Sequence, residues 1–168
     1  MAYALWITGL PGSGKSTIAL LVAKKADIRI ISLDMIRKQI TPHPTYSRQE
    51  KDMVYRTIAY MGYLLNKEGI SILIDATDSR GIRRKKAREL IPDLKVIQLK
   101  APLSLCKERE EHREHSCHHL YKRAQQGKIT MPGVNEEYVF DKDPALLIDT
   151  QQLSPLQAAD DILSLIKR

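Results

Sequence analysis

At 168 residues, with 43% hydrophobic and 28% charged side chains, the chain has the make-up of a single soluble domain with a substantial core. No apolar run approaches the length of a membrane span, and the two cysteines, Cys106 and Cys117, build no disulfide framework. The formal net charge of +7 suits anionic partners, nucleotides and nucleic acid alike.

In chain order, residues 3–8 read as a buried strand that starts so early that no secretory signal fits before it, so a cytoplasmic protein is expected. Directly after it comes Gly9-Leu10-Pro11-Gly12-Ser13-Gly14-Lys15-Ser16-Thr17, which fits G-x-x-x-x-G-K-[ST], a P-loop. Residues 17–25 then read as a helix. Gly9, Gly12 and Gly14 are expected to adopt backbone angles that other residues resist, which lets the chain wrap an anion. The helix start points unpaired N–H groups at the same anion. Lys15 supplies a mobile charge for the β- and γ-phosphates of ATP, and Ser16 a hydroxyl for Mg²⁺.

Residues 28–33 form the second strand candidate, followed at once by Asp34 and, one helical turn on, Arg37. Asp34 can orient or deprotonate an acceptor hydroxyl or hold a magnesium-bound water, or else cap the next helix. Arg37 can clamp an anionic acceptor. Ser47 and Glu50 make a capping box for a long helix whose Val54, Ile58, Met61 and Leu65 form an apolar stripe, closed by Gly69. The third strand, 70–74, runs into Asp75, placed as the second half of a P-loop magnesium site. Asp78 is the weaker candidate, a cap for the following helix. The basic run from Arg80 to Arg88 reads as a solvated face.

Residues 95–99 and 145–148 complete five strand candidates alternating with helices. That alternation predicts a three-layer α/β fold with a five-stranded parallel sheet, its ligands at the carboxyl ends of the strands. Between the last two strands, the polar stretch 107–140 is expected to be a lid that excludes water. Within it His112, His115, Cys117, His118 and His119 crowd together, but their spacing fits no paired-ligand pattern and reads as a polar insertion rather than a metal site. A last helix is capped by Ser154, carries Pro155 in its first turn, and should face the core with Leu156, Ala159, Leu163 and Ile166.

The late segment is the most specific. Leu120-Tyr121-Lys122-Arg123-Ala124, Gly127-Lys128-Ile129, Pro132-Gly133-Val134, Tyr138 and Asp143-Pro144-Ala145-Leu146-Leu147-Ile148-Asp149-Thr150 resemble the lid and final strand of the adenylylsulfate kinases. Ala101-Pro102-Leu103 with Cys106 and Arg109 is similar to that family's entry into the lid. The resemblance covers nearly the whole chain. It implies a single kinase domain over 1–168, a P-loop NTPase of the nucleoside/nucleotide kinase kind, that uses ATP and Mg²⁺ to phosphorylate the 3′-hydroxyl of adenosine 5′-phosphosulfate. By the same resemblance Asp34 faces the acceptor hydroxyl, Arg37 and Tyr46 hold the acceptor, Lys51 and Lys122 bind substrate, and Arg109 lies on the ATP side. Relatives of this kind are often dimers, so a homodimer is an expected assembly, whereas nucleic acid and membrane are not expected partners.

The sequence also departs from that pattern. Ser32 replaces the first Asp of L-D-G-D-x-x-R; Glu50, Lys51 and Val54 replace D-R-x-x-N; Asp75-Ala76-Thr77-Asp78 replaces the I-S-P neighbourhood; Met131 replaces a lid phenylalanine. The differences gather on the acceptor side and leave open a kinase for another hydroxyl acceptor, such as a cytidine diphosphate derivative or a polynucleotide 5′-hydroxyl.

Overall fold

The computed structural model describes residues 2–112 and 120–166. Among these, strands β1 (Ala4–Thr8), β2 (Arg29–Ser32), β3 (Ile72–Asp75), β4 (Lys95–Lys100) and β5 (Leu146–Asp149) form one sheet in the order β2-β3-β1-β4-β5. All neighbouring pairs are parallel, so connecting helices must cross over and cover both faces. Among the described residues no helix is long and apolar enough to cross a membrane.

The helices are α1 (Lys15–Lys25), α2 (Leu33–Ile40), α3 (Arg48–Lys67), α4 (Ile82–Leu90), α5 (Leu103–Glu111), α6 (Leu120–Gln125) and α7 (Pro155–Ile166). One core lies between the sheet and α3 with α4, built on Trp6, Val54, Ile58, Ile72, Ile74 and Ala87. Trp6 donates to the Ala76 carbonyl at 2.9 Å and stacks on Tyr55. The other core lies against α1 and α7, where Leu5, Ile7, Ile18, Val22, Ile97 and Ile162 are fully buried or nearly so.

Two helix faces differ from the expected stripes. On α3 the buried side runs through Val54, Tyr55, Ile58, Ala59 and Gly62, whereas Met61 is exposed. The small residues decide this: a Cβ on Gly62 would lie 2.9 Å from Ile72 Cδ1, so the helix rests its smallest side on the sheet. On α7 the first-turn Leu156 is exposed while Ala158 and Ile162 join Ala159, Leu163 and Ile166 inside. The caps form: Ser47 accepts from Glu50 N, and Ser154 exchanges bonds with Gln157. Glu50 itself reaches back to Thr45 and Tyr46 rather than to Ser47.

The expected solvated face at 80–88 is partly a core. Arg84 is 0% exposed. It donates to Thr8 Oγ1 (3.0 Å), the Asp78 carbonyl (2.6 Å) and the Val139 carbonyl (3.0 Å), with Asp141 at 3.4 Å. Linear spacing makes this run look uniform, but α4 turns one arginine inward beneath β1. A buried cation is costly unless it is paired and hydrogen-bonded, and here three chain segments supply three oxygen acceptors and the Asp141 carboxylate, with Nε in the ion pair but not in a hydrogen bond. Arg84→Met is expected to lower stability by about 3–5 kcal/mol, read as a lower urea midpoint, with Arg84→Lys recovering only part because lysine lacks the planar fork.

Candidate functional site

Strand register brings the site together. Ile7 on β1 and Ser32 on β2 both pair with Asp75 on β3. The chain therefore leaves all three strands at one level, and the residues that follow meet at the carboxyl edge of the sheet. A cavity of about 1870 Å³ opens there, lined by Pro11 to Thr17, Asp34, Arg37, Tyr46, Lys51 and Asp75.

On the loop, Gly12 and Gly14 hold φ of 82° and 96°, the left-handed region glycine tolerates. Gly9 differs from expectation: its φ is ordinary, and its need for hydrogen is steric, because a Cβ would strike Ser13 Oγ and Leu99. At Gly12 a side chain would overlap the Cys106 carbonyl of α5. Gly9 and Leu10 lie behind the cavity wall rather than on it, and the Gly9 and Leu10 carbonyls each accept from Lys15 Nζ at 3.0 Å. Burial pushes the Lys15 ammonium below its ordinary range, opposed by the nearby Asp75 and Asp34 carboxylates. Ser16 Oγ donates to Asp75 Oδ2 at 2.6 Å, which puts a hydroxyl and a carboxylate side by side at the start of α1.

Asp34 sits in the first turn of α2, exposed and facing this cavity. It is not the cap. Ser32 takes that place, accepting from Met35 N at 3.4 Å, and Asp34 is left to the cavity. Arg37 lies over the Tyr46 ring at 5.3 Å, and Tyr46 holds a positive φ of 55°, an uncommon conformation for an aromatic residue. Asp78 caps α4, its Oδ2 accepting from Arg83 N and Arg84 N, both at 2.9 Å. Burial pushes its carboxyl up, and those bonds pull it back.

The segment expected as a lid packs onto the loop. Cys106, Tyr121, Ala124 and Met131 form a small core that includes Leu10, and the Tyr121 hydroxyl donates to the Pro11 carbonyl at 2.6 Å. Residues 129–132 and Glu136 line the cavity. Arg109 reaches it while bonded to Thr150 Oγ1 (3.0 Å) and the Thr150 carbonyl (2.7 Å). Lys122 does not line it: the side chain, on α6, is exposed. Of the histidine cluster, His112 bonds the Glu108 carbonyl, and the other four residues lie outside the described segments. Among the described residues no cluster of three metal-ligating side chains occurs.

Sequence reading gave no place in this site to Arg83, Asp52 and Tyr55, which also line the cavity. Arg83 Nη2 donates to Asp52 Oδ1 at 2.8 Å, and its guanidinium carbon lies 4.5 Å above the Tyr55 ring. The contact joins α3 to α4 across 31 residues, and no local spacing announces it.

The model of the adenylylsulphate kinase family matches residues 1–149. The adenylyl-sulfate kinase of Microcystis aeruginosa is 31% identical over 140 residues, spanning 80% of this chain and 74% of that protein. That of Gloeothece citriformis is 28% identical over 168 residues, spanning 96% and 90%. The solved Mycobacterium tuberculosis APS kinase CysC, in complex with AMPPNP and APS, superposes with a TM-score of 0.86 at 25% identity, over 99% of this chain and 98% of that one. Loop, strand-end carboxylates and the segment packed on the loop thus sit in a chain that is similar throughout to these enzymes, and the chain belongs to the adenylylsulphate kinase family.

Proposed function

We propose that this protein transfers the γ-phosphoryl group of ATP to the 3′-hydroxyl of adenosine 5′-phosphosulfate. The observation that carries the reading is the meeting of two half-sites in one cavity: the phosphate loop with Lys15 on one side, and Asp34, Arg37 and Tyr46 on the other. Family membership supplies the chemistry, phosphoryl transfer to an alcohol.

In this reading the amides of residues 12–17 and Lys15 hold the triphosphate. Lys15 exchanges the Gly9 and Leu10 carbonyls for phosphate oxygens, and its lowered proton affinity reflects how little water it keeps. Ser16 Oγ and the Asp75 carboxylate are hard oxygen donors in contact, a pair that fits Mg²⁺. When bound there, the ion would neutralise phosphate charge. Asp34 accepts the proton of the acceptor hydroxyl as that oxygen bonds to the γ-phosphorus and the bond from phosphorus to the β–γ bridging oxygen breaks. Tyr46 offers its ring to the adenine, with Arg37 beside it. Arg109, steadied by Thr150, lies on the ATP side. The exposed Lys122 has no part in this scheme.

A coupled assay of ADP release against a panel of acceptors tests the assignment: adenosine 5′-phosphosulfate should be turned over, and no turnover with it rejects the reading. Chelation of magnesium should stop that turnover. Lys15→Ala should cut kcat by roughly 10²–10³-fold or more with the circular dichroism spectrum unchanged. Asp34→Asn should lower kcat by roughly 10²–10⁴-fold while the KM for ATP stays near wild type; equal activity would remove Asp34 as the hydroxyl's partner.

A further inference from the structure

The acceptor half of the cavity gathers cations from separate elements: Arg37 on α2, Lys51 on α3, Arg80 on the loop before α4, and Arg83 on α4. Burial pushes the Lys51 ammonium below its ordinary range, Glu136 opposes this, and the like charges of Arg83, Arg37 and Arg80 add to it. Like charges converging on one space are a seat for an anion. Arg37 Nε is buried with no hydrogen-bond partner, a donor left over on the same wall.

These cations are not equally built for recognition. Arg80 is 66% exposed and only 3.6 Å from Glu136. Lys51 is a point charge on a flexible stem. One turn on, Val54 is fully buried in the core and offers no polar atom. Arg37 and Arg83 are both planar and both lie over a tyrosine ring, but of the two Arg83 is the one also hydrogen-bonded to a carboxylate. Its side chain is 20% exposed. Nε and Nη2 give 3.1 and 2.8 Å bonds to Asp52 Oδ1, and one face rests on Tyr55. Asp78 Oδ1 forms an ion pair with Nη1 at 3.7 Å, too long for a hydrogen bond, so the Nη1 protons are not taken up by it. One edge of the fork is therefore braced and the other keeps donors to give. A guanidinium fixed in this way loses little conformational freedom on binding and can take two oxygens at once.

We propose that Arg83, braced by Asp52 and Tyr55, is the residue that reads the anionic 5′ end of the acceptor, a phosphoryl or sulfo ester on a nucleoside. The carboxylate-braced grip comes from α4, beside Arg37 on α2, and α3 contributes only the diffuse charge of Lys51. This role rests on the acceptor being adenosine 5′-phosphosulfate.

The test compares wild type, R83M and R83K in full-length protein, with adenosine 5′-phosphosulfate as acceptor and adenosine 5′-phosphate or adenosine as competitors against it. R83M should raise the acceptor KM by about tenfold or more while the ATP KM changes by less than about twofold. The preference for adenosine 5′-phosphate over adenosine should shrink by about fivefold or more, and R83K should recover little of it, since charge returns without the fork. An arginine that only ties α3 to α4 would weaken both competitors alike, and an unchanged preference overturns the proposal. If R83M does not accumulate as folded protein, the same ratio measured on R83K decides: a reduced preference supports the role and an unchanged one overturns it. A wild type that neither turns over adenosine 5′-phosphosulfate nor is inhibited by adenosine 5′-phosphate removes the acceptor reading and this proposal together. A wild type that does both, with R83K and R83M ratios unchanged, removes the role of Arg83 alone.

Discussion

A fully buried guanidinium holds the active edge of this molecule together. Arg84 is bonded at once to the last residue of β1, to the backbone after β3 and to the segment returning from the lid region. Around it, Tyr138 bridges Thr8 and Gln98, while Asp141 takes Arg84 on one side and Arg88 on the other. Taking such a charge out of water is costly, so the network stands only when every strand end is in register. Thr8 is the residue before the phosphate loop. The geometry of that loop is therefore tied from below to α4, the helix that also carries Arg83.

Above this base, parallel pairing does the positioning. Because β1, β2 and β3 end level with one another, Ser16 meets Asp75 without any long side chain reaching across, and Asp34 emerges in the first turn of α2 on the same side. The carboxylates in turn oppose the loss of charge that burial imposes on Lys15. The lid region adds a second tie, through Tyr121 to the Pro11 carbonyl and through the closeness of Gly12 to the Cys106 backbone. Glycine at position 12 thus serves two ends: a left-handed turn, and room for α5.

The phosphate half of the site was legible in the sequence because all its parts are consecutive: strand, glycine-spaced turn, lysine, hydroxyl, helix. The five strands, their parallel arrangement and the helix caps at Ser47 and Ser154 were legible for the same reason, since periodicity and capping are local. Of the residues on the facing wall of the cavity, Asp34 and Arg37 were legible from their place just past a strand, and Tyr46 and Lys51 through a resemblance. What escaped were the inward face of α3 and the sorting of the basic run on α4. Helical spacing alone does not say that Ala59 and Gly62 seat the helix, or that Arg84 turns inward while Arg83 looks into the cavity.

The sequence by itself determined the chemistry offered to phosphate, because backbone amides, a lysine and a serine on one short turn need no distant partner to be arranged. Tertiary structure alone decided which charges face the cavity and which are spent inside. Arg83 and Arg84 are neighbours in the chain, yet one lines the cavity at 20% exposure and the other is fully buried. The difference lies in what α3, β1 and the returning segment place against them, since a side chain's electrostatic role is set by its surroundings in space, and those come from residues dozens of positions away.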